Sequence, residues 1–527
     1  MKSLSPLVIL ASLLSMPACS DGRGESALWR EFVEASERGG SATLPDYSYA
    51  GYDFMDSPIP AGPARVFKVE EFGAKADDGV SDRDAVQAAL DAASKKGGVV
   101  LFQRGRYLLN TLDGEEAPLR LSQGNVVMRG AGSGEEGTHL VFERHLEPEF
   151  PDRMYSTPFM LHVEPTNTQE RFLSKVVGKS ERGSFELTVQ DPSPFAAGDW
   201  ITLRLRDPKA VPAFFGDRPI RPEWKRLVSD GIGVSERHQI VSVNGNTLRL
   251  RAPLQVTVDP QFGWSVQDYP AIEEVGIEQL RFVGGWKGDF VHHRSALDDG
   301  GWSGIRLHSV RNGWIRDVVM NDWNYGIRMD DCSAFSVLRL RLGGTLGHHA
   351  VHARGGYGVL FGLVADTAGH FHGPGVGYMS ASTVFWRFEH TPKNSFDAHS
   401  TGPYATLLDS CRGGWRYGRS GGPLVGMPNH LRGLTLWNFE RTGGEETEFD
   451  FWRQEYNKRD LFLDANIVGF HGKETRFNEA NLGTLESLGQ PVQPESLFEA
   501  QLSLRLGRVP AHLEKELELW QSASSEN

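Results

Sequence analysis

Residues 66–109 set a strand, a tight turn, a capped helix, a glycine stop and two short strands in immediate succession. The first strand ends at Phe72-Gly73, and Asp77-Asp78-Gly79 turns the chain. Ser81 or Asp82 can then cap a helix on which Val86, Ala89, Leu90 and Ala93 share one apolar face. Gly97-Gly98 stops that helix, residues 99–102 read as a buried strand, and Arg104-Gly105-Arg106 turns into Tyr107-Leu108-Leu109. Glycine, at 60 of 527 residues, suits many short strands joined by turns, and charged residues, at 23 %, are too few for a disordered chain.

A repeat becomes countable further on. Apolar strand starts fall at Ile315, Val337, Val359 and Val384, in steps of 22, 22 and 25 residues, with later ones at Leu434 and Ile467. Self-similarity at this period means stacked coils that bury a continuous core only together, and it predicts that the first four residues form one inward column. The wording of residues 66–109 resembles the opening of the pectate-lyase superfamily, the pectin-lyase-like group with a rhamnogalacturonase and pectate-lyase-3 type of amino-terminal motif. The resemblance implies an all-β, right-handed parallel β-helix whose first coil is plugged by the short helix.

The rest of the chain is organised around that solenoid. Residues 1–19 read as an export signal, 20–62 as a short amphipathic helix and a tyrosine-containing linker, and 63–169 as the start of the β-helix. Between 170 and 258 the strands alternate and Asn244-Gly245-Asn246 marks a hairpin, so an antiparallel insertion is expected, with the loop 206–237 as a lid or groove wall. The main β-helix resumes over 259–485, and 486–527 is a tail with a helix. Lys2, the apolar run 7–14 and Met16-Pro17-Ala18-Cys19 resemble a bacterial lipobox, which implies lipidation of Cys19. Ser20 resembles lipoproteins sent to an outer membrane, so the expectation is an outer-membrane, periplasmic or secreted protein of a Gram-negative bacterium, touching membrane through a lipid anchor alone. Cys332 and Cys411 are 79 residues apart. At about 4.8 Å per coil that is roughly 14 Å along the axis, beyond disulfide reach, so two free thiols are expected.

A net charge of −13 gives no basic field for nucleic acid. The chemistry concentrates instead in a histidine-rich stretch. Arg328 and Asp330 flank Met329, His352 and Arg354 flank Ala353, His370 and His372 flank Phe371, and Asp397 and His399 flank Ala398. Stacked coils would put these eight side chains on one outward face. A merely solvated ladder would favour Thr, Ser, Lys and Glu, whereas histidine and arginine bind anions and move protons. No ligand spacing singles out a metal site, and the cofactor is open, a divalent cation such as calcium being compatible.

Polysaccharide β-elimination needs a cation for a uronate carboxylate, a base for the neighbouring ring proton and an acid for the leaving oxygen. Arg328 or Arg354 suits the first role, His352 or His372 the second, and Tyr357, Tyr378 or Tyr404 the third, with His370 and His399 completing the face and Lys393, Asp397 and Trp323 as further substrate contacts. Hydrolysis remains an alternative. Asp330-Asp331-Cys332 followed by Gly347-His348-His349 resembles the paired motifs of the polygalacturonase family, which implies Asp330 or Asp331 as acid and base with His348 in support. That family's upstream Asn-Thr-Asp and later Arg-Ile-Lys are missing. A surface β-helix that binds glycans without cutting them is the third reading.

Overall fold

One core residue per coil decides how the chain stacks. Ile277, Ile315, Val337, Phe361, Phe385 and Leu408 pair in parallel register on successive coils, and all six are fully buried. The computed structural model describes residues 24–112, 117–453 and 460–525, so the expected signal and Cys19 lie outside the described residues. Within them the chain is a right-handed parallel β-helix. A long parallel sheet carries the inward column, and a second, seven-stranded parallel sheet runs through Leu119–Leu121, Leu161–Val163, Ser303–His308, Tyr325–Asp330, His349–Arg354, His372–Gly377 and Asp397–Ala398.

The expected inward column needs correction. Ile315 and Val337 pair as expected, but Val337 meets Phe361, while Val359 meets Phe335 and Val384 meets Leu360. The next two coils place Phe361 and Phe385 under Val337, so Val384 falls one residue short of the inward position and turns to the outer side of its sheet. There it packs with Trp386, Leu407 and Trp437 beneath the chain termini.

The helix Arg83–Lys96 buries Val86, Ala89, Leu90 and Ala93 against the first coil. Asp82 makes no side-chain cap. Its carboxylate accepts from the Lys75 and Leu108 amides, at 2.7 and 3.1 Å, and so stitches the turn to the strand Gly105–Asn110. The insertion is a six-stranded antiparallel sheet whose strands span residues 172–268, and its strand Ser265–Asp268 lies past the expected boundary at 258. The expected loop 206–237 is shorter than its sequence suggests, because the strands Trp200–Asp207 and Ile232–Asn244 take both its ends, and what remains contains two short helices, Val211–Phe215 and Lys225–Asp230.

Both termini cover the outer side of the long sheet. The amino-terminal helix Ala27–Arg38, capped by Ser26, packs there with the carboxy-terminal helix Leu497–Leu506. A second helix, Ala511–Ser525, follows, so the tail holds two helices rather than one. Linker tyrosines clamp the solenoid: Tyr47 donates to the Gly433 carbonyl at 2.8 Å and Tyr52 to Glu274 at 3.0 Å. Cys332 and Cys411 are free and buried, and burial pushes both thiols well above their ordinary range. No helix of the described residues is long and apolar enough to cross a membrane.

Candidate active site

The outer face of the seven-stranded sheet assembles the site by simple stacking. Arg120, His162, Arg306, Arg328 and His352 pair in register on five successive coils, followed by Gly375 and Asp397. Beside this column, His308, Asp330, Arg354 and Gly377 form a second one. At the start of the strands, Tyr325, His349 and His372 form a third.

Asp330 sits where the columns meet. Its carboxylate takes Arg306 and Arg328 at 2.9 Å and lies 3.5 Å from Arg354. Burial opposes its charge, but Arg328, Arg354 and Arg306 prevail and hold it down at about 2. Three guanidinium groups around one carboxylate leave positive charge over for an anionic ligand. Asp331 has a left-handed backbone (φ 55°), which turns its side chain to its own set of partners: Arg237 from the insertion, at 2.5 Å, and His308, at 3.6 Å. Its carboxyl is likewise held below the ordinary range, burial notwithstanding, chiefly by Arg237.

Next to this charged patch lies a cluster of uncharged imidazoles. The His349 ring stacks on His372 with centroids 4.5 Å apart, lies 4.2 Å from His348 and 5.3 Å from His352, and is covered by Tyr325 at 4.6 Å. Burial, and then mutual repulsion among neighbouring rings, pushes His348, His349, His352 and His372 well below the ordinary histidine range. His352 Nδ1 lies 3.2 Å from the Tyr325 hydroxyl. His399 is more open, and its Nδ1 is 2.9 Å from Asp397 Oδ2, whose other oxygen accepts from the Gly421 amide at 2.7 Å. His349, His372, Asp397 and His399 can each offer one metal-ligand atom within 4.8 Å of the others, and so can His292, His293 and His348. Tyr378 follows Gly377 directly, and its ring receives the Arg354 guanidinium at 3.8 Å.

Several expected site residues lie elsewhere. His370 is buried and fully engaged: Nδ1 meets Asp366 at 2.9 Å and Nε2 the Trp323 carbonyl at 3.2 Å, so it pins a corner rather than facing the groove. Trp323 is core, with its indole N–H on the Phe282 carbonyl. Tyr357 and Tyr404 point to the insertion, where their hydroxyls donate to the Pro253 carbonyl and to Glu236. Lys393 is exposed in a turn off the sheet. His372 does face the site, but on the His349 register and not beside Arg354.

A family model described as a domain of unknown function (DUF4955) matches residues 369–516, which include His372, Asp397 and His399. A stretch of 76 residues is 41 % identical to alginate lyase 7 of Azotobacter vinelandii, and it takes in 14 % of this chain and 9 % of that protein. Among solved structures, the chain is similar to a tailspike protein of Pseudomonas phage LKA1 (14 % identity, TM-score 0.42, 81 % of each chain covered). It is also similar to an exopolygalacturonase of Thermotoga maritima (12 %, TM-score 0.32, 82 % of this chain and 94 % of that one).

Arg306, His308, Glu164, His162 and Tyr325 escaped the sequence reading, and His349 entered it only within the Gly347-His348-His349 motif, without a role of its own. The first four belong to coils that flank the long insertion, where the repeat cannot be counted. His308 bridges Glu164, at 3.4 Å, and Asp331, at 3.6 Å, with Arg306 and Asp330 also facing it. Burial opposes its charge, but the bonds to Asp331 and Glu164 outweigh this and push it up from 6.5 to about 9. Its contribution to stability should therefore be complete below pH 6.5 and disappear as pH rises through about 9. Unfolding titrations across that window should show a slope that His308→Gln flattens, and a His308 resonance titrating at its ordinary position would contradict this.

Proposed function

We propose that the protein is a carbohydrate-active enzyme that cleaves a uronic-acid-containing polysaccharide by β-elimination. The observation that carries this reading is the outward column of Arg120, His162, Arg306, Arg328 and His352. Its arginines, Arg120, Arg306 and Arg328, with Arg354 beside them, supply positive charge along roughly 14 Å of the axis at about 4.8 Å per coil, on which a linear polyanion can lie. The column continues to the neutral His352. Arg328 and Arg354 hold the carboxylate of one sugar and stabilise the charge that develops on it. His352, kept neutral by burial, accepts the proton on the ring carbon next to that carboxylate. The electron pair left behind forms a carbon–carbon double bond, the glycosidic C–O bond breaks, and Tyr378 gives its phenolic proton to the departing oxygen.

Elimination is favoured over hydrolysis because Asp330, at about 2, holds no proton near neutral pH and Asp331 is shifted the same way, so neither serves as the acid that glycoside hydrolysis needs. The short likeness to an alginate lyase supports the same polymer class. The test is to incubate the protein with alginate, pectate, glucuronan and neutral polysaccharides while following ultraviolet absorbance of unsaturated ends alongside reducing ends. Both should rise together on one acidic polymer. Reducing ends alone would make the enzyme a hydrolase, and binding without cleavage of any polymer would make it a glycan-binding protein.

A further inference from the structure

We propose that His349, His372, His399 and Asp397 bind one divalent first-row transition ion of the zinc type. Three imidazoles and a carboxylate are a donor set for such an ion, and they do not suit calcium, which takes oxygen ligands. The four side chains come from three successive coils: His349 and His372 are direct cross-coil partners, Asp397 lies on the next strand, and His399 follows directly after its end. Their ligand-capable atoms already lie within 4.8 Å of one another. Small side-chain rotations would bring them to bonds of about 2.0–2.2 Å.

The hydrogen bonding of the ring nitrogens is a second, independent observation. Two buried histidines elsewhere satisfy both ring nitrogens, His430 on the Leu431 carbonyl and Thr406 Oγ1 and His370 on Asp366 and the Trp323 carbonyl, while His390 and His238 each leave one unpaired; His349 and His372 differ in standing together with Asp397 and His399 in one group of ligand atoms. His349 and His372 are equally buried, yet Nδ1 of each makes no hydrogen bond. Protein interiors rarely leave such groups unpaired, and an ion is the partner that a group of facing lone pairs accepts. His372 Nδ1 lies 3.3 Å from Asp397 Oδ2 but outside hydrogen-bonding geometry. Asp397 itself is fully buried and held from behind by the Gly421 amide, the outer support that metal-binding carboxylates require.

This inference goes beyond the elimination reading and does not depend on it. The untagged full chain, stripped with a chelator, is titrated with Zn²⁺ and then with Co²⁺, without substrate. About one equivalent of Zn²⁺ should bind, and Co²⁺ should give the visible bands of a four-coordinate site with nitrogen and oxygen ligands. His372→Ala and Asp397→Asn should each weaken Zn²⁺ binding by more than about 100-fold, whereas Arg328→Ala should leave it unchanged. Should the variants fail to fold, the Co²⁺ spectrum of the unaltered protein still decides. Retention of less than about a tenth of an equivalent of Zn²⁺, with no Co²⁺ bands, would overturn the site. Zinc kept in His372→Ala but lost in His293→Ala would also overturn it, moving the ion to the neighbouring His292, His293 and His348. Metal binding without unsaturated products from any acidic polymer would sink the elimination reading and leave this one standing.

Discussion

Replacing His352 with alanine should lower kcat on the cleaved polysaccharide by about 10²–10⁴-fold while KM stays near its original value. The imidazole stands on the outer face of its sheet, over glycines that leave room for it. A Cβ on Gly375 would lie 3.2 Å from His352 Cδ2, and one on Gly377 would lie 3.2 Å from Nε2. The ring's neighbours are His349, His399 and the Tyr325 hydroxyl, so removing it takes nothing from the inward column and the fold should survive. Arg354→Ala should raise KM and lower kcat together, because its guanidinium both holds the substrate carboxylate and stabilises the charge that develops on it. Steady-state kinetics with circular dichroism on each variant checks both. Full activity in His352→Ala would remove that histidine from the mechanism.

The second large effect is on stability. Arg237 is fully buried at the seam between the insertion and the solenoid, where it donates to the Gly355 carbonyl and to Asp331 and faces the Tyr269 ring at 5.3 Å. Arg237→Ala leaves the Gly355 carbonyl without its donor and the partly exposed Asp331 without its main counter-charge, which should cost about 1–3 kcal/mol. Charge alone is not what the seam needs, so Arg237→Met combined with Asp331→Asn should be less destabilised than either single change. Denaturant midpoints for the parent and the four variants settle it. A midpoint for Arg237→Ala within error of the parent would mean the insertion is held by its apolar contacts alone.

The fold was legible because its signals are local or periodic. A capped helix between two short strands, followed by apolar starts every twenty-odd residues, needs no long-range information. The site was legible only where two coils share a length. Arg328 to His352 and Asp330 to Arg354 span equal steps, and these pairs are true neighbours. The next coil puts Gly375 beside His352 and carries His372 to the His349 register, because the ring of His352 occupies the space that a side chain at 375 would need. Spacing alone cannot tell a histidine that must face the groove from one, such as His370, whose two nitrogens are spent on a corner. Nor could it reveal the four-residue ligand set, whose members lie one coil apart and become neighbours only through the stack.

The contacts between the two ends of the chain set a timetable for folding. Ser26 bonds to Glu486 at 2.9 Å and the Tyr47 amide to Gln501 at 2.8 Å, across sequence separations of 460 and 454 residues. A solenoid can in principle assemble coil by coil as it leaves the ribosome, each turn resting on the one before. This one cannot finish that way. Its amino-terminal helix waits, unpartnered, until the last coils and the tail have been synthesised, and only then does the belt close along the outer flank. Once closed, the belt ties the first coil to the last, so the fraying that starts at the open ends of a linear repeat has to break a contact of the longest range in the molecule before it can begin.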